Sequence, residues 1–519
     1  MSPTHAGFRP EEQPLTVDVE LLHEIHEEAS TSSPSTVVGS PAGSIKLAPP
    51  KPTPLPMAKF SILLMLNAIA PLAFELIYPF INAMVVEIGV TDDPERVGFY
   101  SGLVESVFSL TGFIMILPCG YLSDTFGRKP VILLGMAGLA VSMVSFGMSQ
   151  SLVGMIASRC IGGALGASWA AIKVMTGEMT DRSNQDVAFS SLQITYRIGQ
   201  IIGLPLGGLL AHPEQRFKWF NSPFWIEYPY LLPCLVGAAF AISSVIPGVI
   251  FIEERRTAKR ASSYGSTDST TSSTSTLVGP LVDIESTEKK KQATWSSVMT
   301  PPVISLLLNN ALMCLTSEML FSIYPLFAYT PISSGGLGMS ESKIGTQMAI
   351  RSFIHVAMMF AYNRAVSCLN TVNVYKFAMA MWPVVVLGFP VLNWIVRVHP
   401  DGNESTVFFV SQLVFYVIWS IAGFCWVCIG SLVNDASPSA EALSLITGIS
   451  QMSTILPQAV SPELGNTLFA ASVHEHVLGG NLVWLVLLTF TGAGGLHSLT
   501  LQTPSHDWRA SVNANDDEE

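Results

Sequence analysis

The chain has 519 residues, of which 49% are hydrophobic and only 12% charged, and its mean hydropathy is +0.45. Soluble domains carry about 25% charged residues, so the composition excludes an ordinary soluble protein. The net charge of −12 says little about partners, because residues 1–59, 252–300 and 502–519 hold 18 acidic and 12 basic residues, half of that net charge. Nucleic acid is not an expected partner.

Residues 1–56, rich in Pro, Ser, Thr and Glu, read as a disordered tail. They lack the basic, apolar and small-residue sequence of a cleaved signal peptide, so the first hydrophobic span is expected to be the first membrane helix. Twelve apolar spans follow, at roughly 60–87, 97–120, 131–149, 151–177, 187–211, 229–251, 302–329, 343–363, 376–397, 406–432, 442–470 and 480–500. About 20 apolar residues cross a bilayer as a helix, and alternating strand patterns are absent. The expected fold is an all-α membrane protein with twelve transmembrane helices in two six-helix bundles. Those bundles are residues 57–251 and 301–501, joined by a mostly disordered linker, 252–300, and followed by a tail, 502–519.

Both termini are expected to be cytoplasmic. That orientation puts 17 Lys and Arg residues on inner segments and five on outer loops, in accord with the positive-inside bias. It also puts the sequon Asn403-Glu-Ser405 outside, where Asn403 would accept a glycan. The seven cysteines are odd in number and lie mostly in apolar spans, so buried packing thiols are expected rather than disulfides, and the Cys425-Trp-Val-Cys428 spacing is given the same reading. A repeat joins the halves: Ile77-Tyr-Pro-Phe80 matches Ile323-Tyr-Pro-Leu326, and Arg96-Val-Gly98 matches Lys343-Ile-Gly345. This pattern suggests a duplicated six-helix unit with parallel repeats.

Between spans two and three lies Gly120-Tyr-Leu-Ser-Asp124-Thr-Phe-Gly127-Arg128-Lys129-Pro130. Its glycines permit a tight reversal, and an acid one turn from a basic pair can bind a helix end or a guanidinium. The string resembles the signature of the major facilitator superfamily. The resemblance covers all twelve spans and implies two bundles alternating access around a central cavity, with Gly120, Asp124, Gly127, Arg128 and Lys129 acting as a gating latch. The second half has only a degenerate copy, Tyr362-Asn-Arg364 with Tyr375-Lys376.

Span four carries Arg159, then Lys173 and Glu178. An arginine in mid-span is costly and normally faces a partner or an aqueous cavity; the match to the family's second motif implies a part in proton coupling. Lys173 and Glu178 also suit an interfacial ion pair. Span five carries Gly199, Gly203, Pro205, Gly207 and Gly208, small residues that allow close helix packing, with a proline that bends the backbone. They resemble the antiporter motif of twelve-span drug:proton exchangers, with the proline one position late. Gly208-Leu-Leu-Ala211-His-Pro213, Tyr228-Pro-Tyr-Leu-Leu-Pro-Cys234 and Ser461-Pro462 with Gly465 resemble the zinc-induced-facilitator-like branch, whose fungal-type members export metabolites or drugs. Arg197 stands where a small residue is expected.

Glu75, Glu105, Glu318, Arg351 and His355 are further ionisable groups inside apolar spans. A carboxylate in a low-dielectric cavity binds a proton more tightly. Glu75 or Glu318 is therefore expected to carry the proton or a cationic substrate, tuned by Arg159, with Lys173 and Arg197 as further candidates. His474-Glu-His476 is too small a set for a defined metal site.

The expected function is proton-coupled efflux of a small organic molecule by a plasma-membrane protein, plasma membrane being favoured over vacuole. It is expected to act as a monomer in the bilayer, with no cofactor and no resident metal. Zinc or metal-complex transport is the first alternative, and a non-transporting nutrient sensor with a transporter fold the second. An enzyme is not expected, since no nucleophile–base pair or metal set emerges.

Overall fold

The computed structural model describes residues 55–166, 170–180, 184–252, 299–399, 401–436 and 443–502. Within them the chain is helical, and helices fall on each of the apolar segments. The first half comprises α1 (Met57–Phe74), α2 (Ile81–Glu87), α3 (Val97–Phe126), α4 (Arg128–Gly147), α5 (Leu152–Gly166), α6 (Ala170–Met179), α7 (Gln185–Leu210) and α8 (Leu231–Phe251). The second half comprises α9 (Pro301–Tyr329), α10 (Glu341–Leu369), α11 (Thr371–Val398), α12 (Thr406–Ala422), α13 (Cys425–Asp435), α14 (Leu443–His474) and α15 (Leu482–Ser498).

Eight helical stretches are long and apolar enough to cross a membrane, and α15 is a shorter apolar helix. The long helices outside that group are α7, α10 and α14. These carry the polar load: Arg197 and Gln200 on α7, Arg351 and His355 on α10, Gln458, Glu463 and Asn466 on α14. Polar groups at membrane depth are expensive and turn toward protein or an aqueous space, so these helices are the ones that border the interior.

Local breaks follow from proline and glycine. Pro71 lies inside α1, which tightens into a 3-10 turn at Glu75–Ile77 before α2; the missing N–H and the ring clash of proline weaken the helix there. Gly127, at φ 102°, separates α3 from α4 in a conformation that suits glycine alone. Residues 423–424 interrupt the tenth apolar segment between α12 and α13.

Glycine also sets how closely the helices approach. A Cβ on Gly199, Gly203 or Gly207 would lie 2.0, 2.5 and 1.9 Å from the carbonyl oxygens of Ala68, Leu72 and Leu76, so α7 rides directly on the backbone of α1. Gly208 meets the second half instead, 2.2 Å from the Glu341 carbonyl oxygen. Gly345 returns the contact, 2.5 Å from the Leu204 oxygen. On the other flank, a Cβ on Gly98 would lie 2.6 Å from the Asn466 oxygen, and one on Gly102 3.0 Å from the Pro462 oxygen.

These cross-half contacts share one end of the molecule. There Ser334 Oγ donates to Glu95 Oε1 at 2.7 Å, and His474 Nδ1 lies 3.2 Å from Asp93 Oδ2. Deeper in, Ser106 Oγ accepts from the Glu463 N–H at 2.7 Å. Toward the opposite end α3 becomes exposed, with Leu117 and Phe126 each 70% accessible after a start in which Val97, Ser101 and Val104 are buried. Among the described residues these contacts between the halves lie at the first end and deeper in, and α3 is accessible toward the second.

Outside the spans, His212 is clamped by two acids, its Nε2 3.1 Å from Glu87 Oε1 and its Nδ1 3.1 Å from Glu214 Oε1. The hydrogen bond to Glu87 is the main cause that raises its pKa from 6.5 to about 9, against the opposing effect of burial.

Two outcomes are expected. Because the folded pKa of His212 exceeds the unfolded value, its stabilisation is complete below pH 6.5 and is lost as pH climbs through about 9. Melting temperature should therefore fall across that window in the wild type and stay flatter in His212→Gln. Second, Gly208→Val forces a side chain into the Glu341 backbone. Overpacking costs about 1–3 kcal/mol, so the joined end should open, lengthening the distance between spin labels at Asp92 and Ser333. An unchanged distance distribution would mean that this contact does not control closure.

Candidate substrate and coupling site

Glu75 sits in the 3-10 turn at the kink of the first segment and is only 3% exposed. Both of its oxygens are held by α7: Tyr196 donates to Oε1 and the Gln200 amide to Oε2, each at 2.6 Å. Gln200 in turn accepts from Arg197 Nη1 at 2.8 Å. Two short bonds to the carboxylate anchor the kink against the helix that the glycine row brings close.

The second half repeats this arrangement. Glu318 on α9 accepts from the Gln458 amide of α14 at 3.2 Å. One turn or two away, Asn67 donates to Thr195 Oγ1 at 3.0 Å, and Asn310 to Ser453 Oγ at 2.7 Å. Asn67 and Glu75 recur as Asn310 and Glu318 at one constant offset of 243. Thr195, Gln200 and Gly207 recur as Ser453, Gln458 and Gly465 at a constant offset of 258. A Cβ on Gly465 would lie 3.3 Å from the Met319 Cα, so small-residue packing recurs with the polar clamp. The two copies differ in access: Glu318 is half-buried where Glu75 is sealed.

Arginines complete the interior. Arg197 and Arg351 are half-buried, and each is within electrostatic reach of Glu318 and of the other. The Arg351 guanidinium lies 4.0 Å from the Trp419 ring centre and 5.0 Å from that of Phe321. His355, one turn on, feels both arginines. Among the candidates read from the sequence, Glu75, Arg197 and Glu318 come together, and Arg351 and His355 join them.

Arg159 lies elsewhere. It is 1% exposed, with its guanidinium 4.3 Å from the Phe108 ring centre, and its Nε and Nη1 have no hydrogen-bond partner among the described residues. Glu105, 2% exposed, is within its electrostatic reach and accepts a hydrogen bond from Ser322 of the opposite half. Arg159 is thus associated with a link between halves, and Tyr78 lies within electrostatic reach of it and of both Glu75 and Glu318. Lys173 is exposed on α6 and joins neither group; the side chain of Glu178 is outside the described residues.

At the latch motif, Lys129 Nζ donates to the Val249 carbonyl at 2.6 Å, tying the turn to the C-terminal end of α8. Gly120 faces open space, and the Asp124 side chain lies outside the described residues. Asn403 uses its amide nitrogen to pin a loop, donating to the Leu337 and Gly338 carbonyls at 3.0 Å each. A glycan there would take one of those two hydrogens. Cys425 and Cys428 are buried free thiols near the Tyr375 carbonyl and the Tyr362 hydroxyl. Asp93, Glu95 and His474 form a group of metal-ligand spacing among the described residues, half-buried at the joined end.

The family profile described as Major Facilitator Superfamily matches residues 63–462. The chain belongs to the Major Facilitator Superfamily. Among its relatives, the major facilitator-type transporter psiT2 of Psilocybe cyanescens is 28% identical, over 87% of this chain and 91% of that protein. The efflux pump azaK of Aspergillus niger is 27% identical, over 84% and 86% respectively. Protein ZINC INDUCED FACILITATOR 1 of Arabidopsis thaliana is 25% identical, over 79% and 84%. The solved human organic anion transporter MFSD10 shares the fold, with a TM-score of 0.55 at 16% identity over 86% of this chain and 100% of that one. The resemblance to fungal efflux transporters and zinc-induced facilitators is therefore real, and the protein is a membrane transporter of this superfamily, not an enzyme.

Sequence reading passed over Tyr196, Gln200, Gln458 and Trp419, because a neutral polar or aromatic residue in a membrane helix carries no signal of its own. The constant offsets were the available signal. They are 243 for Asn67 and Glu75 and 258 for span five against span eleven, whereas Ile77-Tyr-Pro matches its copy three residues further on.

Proposed function

We propose that the protein is a proton-coupled exporter of a small organic molecule, working by alternating access. Its twelve membrane helices form two six-helix bundles, residues 57–251 and 301–501, with both termini cytoplasmic. The observation that carries this reading is a cluster of charged groups drawn from both halves, Glu75 and Arg197 with Glu318 and Arg351, beside contacts between the halves that gather, among the described residues, toward one end. In the proposed orientation the joined end faces outward, as does the Asn403 loop, and the structure corresponds to an inward-open state in the plasma membrane.

Glu75 or Glu318 carries the proton. A carboxylate placed among apolar helices is costly when charged and unpaired, which couples its protonation to whatever else occupies the space. Export needs that coupling: substrate and proton use the site alternately, and each state favours a different end closed. Arg159 and Glu105, beside the Ser322 link, connect the charge state of the interior with the closed end. The efflux direction is supported by relatives such as the Aspergillus niger efflux pump.

The test is reconstitution in liposomes under an imposed pH gradient, with proton movement read by a trapped pH dye as candidate substrates are added. Either Glu75→Gln or Glu318→Gln should lower gradient-driven flux about tenfold or more while substrate-for-substrate exchange persists. Normal coupled transport in both variants sinks the assignment.

A further inference from the structure

The acid, amide and small-residue frame of the interior is duplicated, whereas its arginines are not. At the offset that maps Gln200 onto Gln458, Arg197 falls on Ile455. At the offset that maps Gly98 onto Gly345, Arg351 falls back on Val104. Each arginine therefore departs from the repeat, and each departure replaces an apolar residue with a fixed positive charge at membrane depth. Such charges are retained only with a partner or a function.

No protein carboxylate pairs directly with either guanidinium among the described residues, although Glu318 is within electrostatic reach of both. Among the described residues neither guanidinium makes a salt bridge; the ion pairs present involve His212, Lys343 and His474. The Glu75 oxygens are taken by Tyr196 and Gln200, and Glu318 is held by Gln458. Arg197 spends one nitrogen on Gln200. Arg351 lies over Trp419 and Phe321, and a guanidinium can take a planar, bidentate acceptor. The two guanidinium groups repel one another across the boundary between halves, and Arg351 also faces Tyr324, Tyr416 and Glu318. One anion between them would remove that repulsion and hold both halves at once.

We propose that Arg197 and Arg351 form an anion-binding pair, and that the transported molecule carries a carboxylate or phosphate monoester beside an apolar or aromatic body. This rests on the transporter reading above and names its substrate class. The anionic group sits between the arginines, the body lies against half-buried Phe321, and the nearby acids remain for the proton.

Binding is measured on detergent-solubilised protein without any gradient, so it can fail independently of coupled export. The probes are 2-naphthoate, 2-naphthyl phosphate and 2-naphthylmethylammonium, read by thermal stabilisation during titration. Either anion should stabilise the wild type and the ammonium should not. Arg197→Gln and Arg351→Gln should weaken the anion at least about tenfold, a change of about 1.4 kcal/mol, and Arg351→Lys should restore part of the loss by returning the charge. Stabilisation by the ammonium probe alone, by none of the three, or undiminished anion binding in both glutamine variants overturns the proposal. Intact anion binding with no gradient-driven flux would instead overturn the exporter reading while leaving the anion site standing.

Discussion

Close approach of helix backbones, made possible by glycine, is the constraint on which the rest of the structure depends. Where lipid solvates apolar side chains as well as protein does, hydrophobic burial gives helices little reason to associate, and packing of small residues takes over. Here the glycines divide the work. Gly199, Gly203 and Gly207 bind α7 to α1 inside one half, while Gly98, Gly102, Gly208 and Gly345 let backbones of opposite halves touch. One face of α7 thus fixes the first half internally, and Gly208, the next residue after that row, lets the half meet the other.

The polar chemistry follows from the same contact. With α7 resting on the backbone of α1, Tyr196 and Gln200 reach Glu75 over 2.6 Å; a wider spacing would leave a carboxylate without partners among apolar side chains, at a cost of several kcal/mol. The glycine row and the acid are one device: the first permits the geometry that the second needs. Glu318 and Gln458 use the same device beside Gly465.

Much of this was legible in the sequence. Hydropathy located the long helices among the described residues, the Gly120–Pro130 string carried the family, and the glycine row of span five announced close packing. What composition and spacing could not show was which polar residues meet. Arg159 and Glu75 looked like parts of one proton path, yet Arg159 stacks on Phe108 near Glu105, while Glu75 turns to α7. Helix rotation decides that, and rotation depends on side chains scattered through several helices. The short repeats Ile-Tyr-Pro and Arg/Lys-X-Gly were visible as single matches. The longer correspondence needed the hydrogen bonds first, because it uses different offsets for different helix pairs.

The duplication also locates function by its failures. A frame repeated in both halves satisfies backbone and buried polar groups in each, so its repetition follows from folding even where its acids also serve the proton. Residues that break the repeat are not required by that frame. Arg197 against Ile455 and Arg351 against Val104 are such breaks, and so is Glu105, which falls on Ser352 at the same offset as Arg351. All three lie at membrane depth, where an unneeded charge is costly. The arginines face one another from opposite halves, and Glu105 grips Ser322 across the boundary. Alternating access requires the halves to exchange contacts in response to what lies between them. The symmetric residues make the two halves alike, and these asymmetric charges give them something to respond to.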